Sequence, residues 1–283
     1  MSTSPPPEPL FKLMTLKLDS INVWMGQTAN ASEHGGLVDH MLGFVHWVMV
    51  VLGVGWSIYL AIAFYRFRKQ KTARADYHGF RGHATTHIEI GVVIVEAILL
   101  LGFAFPLWSH QADEYPTSPD TIRMRALGEK FLWNFQYPGT DMMLSTWDLR
   151  NVDGATNTMG KDLHDPNGKD DFVNPGTMKL PVGRPVIVDV ASKDVIHNLA
   201  LVPMRAAQDA TPGVKSHMWF KPIKEGSWDI ICGQLCGPGH AQMKAILDVV
   251  PAAEYDAWAK EQSDAASKKI KDAEAAAPKP AAH

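Results

Sequence analysis

From Leu37 to Tyr65 the chain reads LVDHMLGFVHWVMVVLGVGWSIYLAIAFY, with its ionisable groups confined to the first turns. A second run of the same character lies between about Ile88 and Trp108. Each reaches the roughly 20 residues needed to cross hydrocarbon, and neither shows the polar face that a surface helix of a soluble protein carries. Two transmembrane helices are expected, over 36–66 and 87–109. After Trp108 the pattern changes to short runs bounded by Gly, Pro, Asp or Ser. Val186 to Val190 in RPVIVDVAS, Met218 to Phe220 in SHMWFKP and Lys244 to Val250 in KAILDVV are rich in strand-forming residues. Such spacing predicts an antiparallel sandwich or small barrel over 110–252. Within it, 153–175 is too polar and turn-rich for core and reads as an insertion. Its DPNGKDD stretch offers Asp165, Asn167, Asp170 and Asp171, but the spacing and closing Glu of a calcium loop are missing, which favours a solvated turn. Helix formers open the last segment, 253–283, and AAAPKPAAH closes it as a frayed tail.

Charge orients this layout. Between the apolar runs, Arg66, Arg68, Lys69, Lys71, Arg74 and Arg81 face the single acid Asp76, which places 67–86 in the cytoplasm. Both termini and the β domain then lie on the opposite side, in a bacterium the periplasm, with the chain in the inner membrane among its lipids. Residues 1–35 form an N-terminal tail, and MSTSPPPEP lacks the basic start of a signal peptide. The formal net charge of −3 over 283 residues argues against nucleic acid as a partner.

The candidate chemistry is concentrated in ICGQLCGPGHAQM, Ile231 to Met243, which holds both cysteines of the chain together with His240 and Met243. A structural zinc site prefers four Cys or His ligands and has little use for a thioether. The C-x-x-C spacing of thioredoxin-like redox pairs is absent. A disulfide stays open for the bare pair in an oxidising compartment. Sulfur with imidazole and a weak thioether selects copper, and His197, at the end of a predicted strand in SKDVIHNLALVP, is the upstream candidate ligand. Two thiolates, two imidazoles, a thioether and a carbonyl suit two coppers bridged by both sulfurs.

The two N-terminal helices followed by DVIHN, QDATPG, WF and C-x3-C-x3-H-x2-M resemble subunit II of the haem-copper cytochrome c oxidases. The resemblance runs from Leu37 to about Trp258. It implies a two-helix transmembrane hairpin followed by an all-β cupredoxin, a Greek-key β-sandwich, carrying the dinuclear copper centre CuA. His197 and Met243 would serve one copper, His240 and the carbonyl of Gln234 the other, with Cys232 and Cys236 bridging. The implied function is electron input to a terminal oxidase. Electrons come from a cytochrome c, soluble or membrane-tethered, and pass to the haem of subunit I, where oxygen is reduced to water with proton translocation. Subunit I and the other oxidase subunits are the implied partners. No C-x-x-C-H occurs, so no haem attaches to this chain and the donor is separate.

Several positions depart from the family pattern. Gln234 stands where many relatives carry a Glu that helps hold magnesium at the boundary with subunit I, which leaves magnesium there open. FLWNFQYP replaces the aromatic cluster W-Y-W-x-Y-E-Y-P, with Phe131 at the first aromatic and Gln136 at the acid. Phe131 and Trp133 are thus the candidates for electron entry, ringed by Asp141, Asp148 and Asp209; the alternative for Phe131 is core packing. Glu89 matches a family residue near the mouth of a proton pathway. Glu96, where the family has Pro, lies about two turns deeper on nearly the same face. Intramembrane carboxylates are functional suspects by default, although Glu89 among headgroups and Glu96 paired with a neighbouring helix would give both a structural role. A copper chaperone, or another membrane-anchored cupredoxin carrier, is the alternative class. Nitrous oxide reductase would need a large propeller domain, and quinol oxidase subunits lack the copper ligands.

Overall fold

The computed structural model describes residues 20–68, 77, 82–154, 156–162 and 164–276. Most of the basic segment expected in the cytoplasm, and the first 19 residues, lie outside that set. The chain divides into two compact units: Met1–Thr28 with Gly36–Asp113, and Ala29–Gly35 with Glu114–His283.

In the first unit a short helix, α1 (Ser20–Trp24), precedes α2 (Gly35–Arg66) and α3 (Ala84–Leu99). A π turn, Leu100–Ala104, carries α3 into α4 (Phe105–Asp113) without a break. Pro106 accounts for the turn, because its ring would strike the carbonyl four residues back in a regular helix and the wider turn relieves that contact. Gly35–Arg66 spans 32 residues and Ala84–Ala112 spans 29, both apolar enough to cross a membrane. At 1.5 Å per residue each exceeds ~40 Å. Phe44 stacks on Phe103 with ring centroids 5.5 Å apart, so the two long helices lie side by side. The Asn22 side chain donates to the Asp39 carbonyl at 2.7 Å, fastening α1 to the start of α2.

The second unit is a sandwich of two five-stranded sheets. Its strands are β1 (Ile122–Glu129), β2 (Leu132–Tyr137), β3 (Phe172–Pro175), β4 (Thr177–Pro181), β5 (Val186–Ser192), β6 (His197–Leu201), β7 (Ala206–Ala210), β8 (Ser216–Phe220), β9 (Gly226–Cys232) and β10 (Lys244–Val250). One sheet has the order β3-β2-β1-β5-β8 and the other β4-β10-β9-β6-β7. The sandwich expected from the sequence is present, but it is mixed: β1 runs parallel to β5 and β4 parallel to β10. In each case the chain leaves one sheet and visits the other before returning, which frees it from the antiparallel rule of a hairpin.

Alternation builds the core. Ile122, Met124 and Ala126 of β1, Trp133, Phe135 and Tyr137 of β2, and Val186, Val188 and Val190 of β5 are fully buried. Leu199 and Leu201 of β6, Ile230 of β9 and Leu247 of β10 meet them from the other sheet. A final helix, α5 (Ala252–Ala276), sets Trp258 edge-on to Tyr137 and Phe172, each at 5.3 Å between centroids.

The region expected as a solvated insertion over 153–175 is partly buried. Phe172–Pro175 pair with β2 as an edge strand, and Met159 packs with Leu127, Ala191, Trp147 and Val152 against the outward face of the first sheet. Asp171 is buried and accepts bonds from Ser145 N (3.0 Å), Ser145 Oγ (2.7 Å) and Gln136 Nε2 (2.7 Å). Gln136 sits opposite Arg125 in register, so its amide stands between a guanidinium and a carboxylate. Burial brings Arg125 down to about 10 and pushes the Asp171 carboxyl up. The last part of the expected N-terminal tail, Ala29–Gly35, belongs instead to the β unit. Ala31 and Ser32 are fully buried in the β unit, held by Ala31 N to Pro203 O at 2.8 Å and Ser32 Oγ to Met204 O at 2.7 Å.

Removing the Asp171 carboxylate leaves buried donors on Ser145 and Gln136 without an acceptor. Asp171→Ala is expected to cost about 2–3 kcal/mol, and Asp171→Asn less, in denaturant unfolding of the purified chain. A loss under ~0.5 kcal/mol for the alanine variant would mean that the segment adds nothing to the sheet.

Candidate metal centre

The inward series of β6 runs His197, Leu199, Leu201, and that of β9 ends Ile230, Cys232. The two strands pair with Leu199 opposite Cys232. The same period that fills the core therefore places an imidazole and a thiol at its end, where the sheet gives way to loop.

That loop completes the donor set. Cys232 Sγ lies 3.9 Å from Cys236 Sγ and 3.9 Å from His197 Nδ1. Cys236 Sγ lies 3.6 Å from His240 Nδ1 and 3.7 Å from Met243 Sδ. The Gln234 carbonyl points at Cys232 Sγ from 3.2 Å. His197, Cys232, Cys236 and Met243 are buried, while His240 is partly exposed and the Gln234 side chain is exposed. Among the described residues, His197, Cys232 and Cys236 form the one group of three such side chains placed to hold a metal, their donor atoms all within 4.8 Å of one another.

Both cysteines are free thiols. A separation of 3.9 Å is nearly twice the ~2.05 Å of a disulfide. It is also shorter than two thiolate–metal bonds of ~2.3 Å laid end to end, so both sulfurs reach a common ion. Burial and the adjacent Cys232 push the Cys236 thiol up, and a bound cation would favour its thiolate. Soft, buried sulfur flanked by imidazole fits copper chemistry.

Backbone features fold the loop to this shape. Gly233 N–H bonds Asn198 O at 3.0 Å, and a Cβ at Gly233 would come within 2.6 Å of Asn198 Oδ1. Gly237 takes φ +138, which other residues avoid. His240–Gln242 form one 3-10 turn that returns Met243 toward Cys236.

Of the two candidate entry residues, the structure leaves one at the surface. Trp133 is fully buried, its ring edge-on to His197 at 5.9 Å between centroids, because β2 turns that position inward. Phe131 is 36% exposed in the β1–β2 turn. It is not sandwich core either, since its ring lies across Gly239 and Gly237 of the ligand loop. The ring of carboxylates expected around it is not assembled. Asp148 chelates the Arg150 guanidinium, which with the Arg150 amide holds its carboxyl down at about 2. Asp141 follows the far end of β2, six residues long at ~3.4 Å each. Asp209 is exposed beside Asn198, next to the loop. Glu89 and Glu96 are exposed on α3 in the other unit.

Asp194, which the sequence pattern did not single out, meets His197 from the side away from the sulfurs. One carboxylate oxygen lies 2.9 Å from His197 Nε2 and the other accepts Lys130 N–H at 2.8 Å. An acid three residues before the candidate ligand His197 was the available signal.

Two apolar helices followed by a cupredoxin-like sandwich, with sulfur and imidazole gathered at one end of its core, define the class of protein. Residues 122–250 match the family described as cytochrome c oxidase subunit II, periplasmic domain. The alternative cytochrome c oxidase subunit 2 of Bradyrhizobium diazoefficiens is 31% identical over 229 residues, 80% of each chain. The cytochrome c oxidase subunit 2 of Cereibacter sphaeroides is 25% identical over 247 residues, covering 82% of this chain and 78% of that one. A crystal structure of the periplasmic domain of subunit II of cytochrome oxidase of Bradyrhizobium japonicum is 28% identical, with a TM-score of 0.39, covering 54% of this chain and 99% of that one. The chain belongs to the cytochrome c oxidase subunit II family, subunits of the haem-copper oxidases.

Gly239 has φ −91, open to any residue, yet a Cβ there would lie 2.4 Å from the Phe131 ring. Gly239→Ala is therefore expected to destabilise the chain by about 1–3 kcal/mol through overpacking alone. Adding Phe131→Ala should recover much of that loss in a double-mutant cycle followed by thermal unfolding. Additive losses would show that the ring does not rest on the loop.

Proposed function

We propose that this chain is the electron-input subunit of a terminal cytochrome c oxidase, holding a dinuclear CuA centre on His197, Cys232, the Gln234 carbonyl, Cys236, His240 and Met243. The observation that carries the reading is the convergence of two free, buried thiols with two imidazole nitrogens and a thioether at one end of the sandwich. When bound, the metal pair supplies a one-electron carrier whose charge is shared between two centres.

The protein supports that role by rigidity. β6 and β9 hold His197 and Cys232 through sheet hydrogen bonds, and the glycine-bearing loop brings Cys236, His240 and Met243 to them. Donors that keep their places whether or not an electron is present keep reorganisation small. By the family assignment, His197 and Met243 serve one copper, and His240 and Gln234 O the other. Gln234 presents a neutral amide where many relatives have a carboxylate, so this position brings no charge to a magnesium ion there, and magnesium stays open.

A cytochrome donor would meet an apolar surface. Leu235 is 80% exposed, and Ile196 and Phe131 present further apolar area beside the ligands. A small apolar centre suits a transient partner. With Asp148 neutralised by Arg150 and Asp141 distant, steering rests on few charges. Electrons pass onward to the haem of subunit I, where oxygen is reduced. In this reading α2 and Ala84–Ala112 cross a bacterial inner membrane, the β unit and both termini lie in the periplasm, and Glu89 and Glu96 face the proton path of subunit I.

Metal analysis of the full chain, loaded with copper in detergent, tests the proposal. Two coppers per chain are expected, with thiolate-to-copper charge-transfer absorption and a paramagnetic signal from one electron shared by both. Cys232→Ser should reduce the stoichiometry toward one, because a hydroxyl is too hard and too basic to bridge. A single copper in the unmodified chain, or a preference for zinc, would overturn it.

A further inference from the structure

Three groups meet at the Asp194 carboxylate. One oxygen lies 2.9 Å from His197 Nε2 and accepts Val195 N–H at 2.7 Å, while the other accepts Lys130 N–H at 2.8 Å. Asp194 N–H itself bonds Ser192 Oγ at 3.2 Å. His197 is fully buried, and its opposite ring nitrogen, Nδ1, faces Cys232 Sγ at 3.9 Å. An ionised carboxylate can only accept, so the proton of a neutral His197 ring sits on Nε2 and the Nδ1 lone pair is left toward the sulfurs. Lys130, on the third branch, belongs to the turn that carries Phe131, the ring lying across Gly237 and Gly239.

We propose that Asp194 is a positioning residue that sets the tautomer and aim of His197 and, through Lys130 N–H, ties the Phe131 turn to the donor set, so that the surface ring and the buried imidazole are held as one unit. The proposal deepens the copper reading of the site and, in its metal part, rests on it.

An amide in place of the carboxylate makes the idea testable. Asn has a single acceptor oxygen, so Asp194→Asn can satisfy either the His197 and Val195 side or the Lys130 side. The other side then meets an NH2 group, a second donor. In the metal-free full chain, nitrogen-15 NMR of labelled histidine should show His197 as the Nε2–H tautomer in the unmodified protein and a mixture in Asp194→Asn, or else Lys130 N–H should exchange with solvent at least ~10-fold faster. Asp194→Ala should show both changes. In the copper-loaded chain, Asp194→Asn should lower copper affinity, by chelator competition, at least ~10-fold. It should also raise the midpoint potential, because losing an anionic partner makes the imidazole a poorer donor to the oxidised centre. Exposed Asp229→Asn should change none of these readouts. An Asp194→Asn chain with unchanged tautomer, exchange, affinity and potential would overturn the proposal. So would a change confined to Val195 and its neighbours in the loop, which would make Asp194 an ordinary turn residue. Should the unmodified chain take up no copper, the metal reading fails, while the metal-free arm still decides whether Asp194 sets the ring.

Discussion

The pairing of Leu199 with Cys232 across β6 and β9 is the constraint on which the site depends. Two residues before Leu199 on the same inward face stands His197, and two residues before Cys232 stands Ile230. A slip of one residue in either strand would turn its donor to the outer face and send the apolar series with it. The burial of Leu199, Leu201 and Ile230 therefore fixes His197 and Cys232 as firmly as it fixes the core.

The remaining donors depend on a loop, and the loop depends on close approach. Gly233 lies against Asn198, Gly237 adopts a left-handed backbone, and Gly239 lies under Phe131. Gly233 and Gly239 allow contacts that a side chain would prevent, Gly237 allows the positive φ, and together they return Cys236, His240 and Met243 to a thiol that the sheet has already placed. The β1–β2 turn closes the arrangement from outside. Its Phe131 ring covers the loop, its Lys130 amide meets Asp194, and Asp194 meets His197. A site so braced suits electron transfer, in which the protein contributes most by keeping its donors still.

The two long helices were legible because an unbroken apolar run of about 20 residues or more matches the thickness of a bilayer and little else. The sandwich could be read from alternation in β5, β8 and β10, and the ligand loop from donor types packed between Ile231 and Met243. What stayed hidden depends on distant partners. The outward face of the first sheet is covered by a segment whose buried members, Met159, Asp171 and Phe172, are separated by turns and so show no period. Burial of Ala31 and Ser32 rests on bonds to Met204 and its neighbour Pro203, far along the chain. Trp133 belongs to an inward alternation with Phe135 and Tyr137 that is present in the sequence, yet the same three rings also fit a surface aromatic cluster, and only the packing of β2 decides between the two. Asp148 is a counter-case: its partner Arg150 is only two residues away, and composition alone would have counted it as a free charge.

The central claim is that both thiolates are shared by the same pair of metal ions. X-ray absorption at the copper edge of the loaded full chain tests it most directly, because the edge reports the neighbours of each copper without relying on activity. Two sulfur neighbours from thiolate per copper, with a second copper in the next shell, are predicted. One thiolate sulfur per copper, or no copper neighbour, would contradict the account.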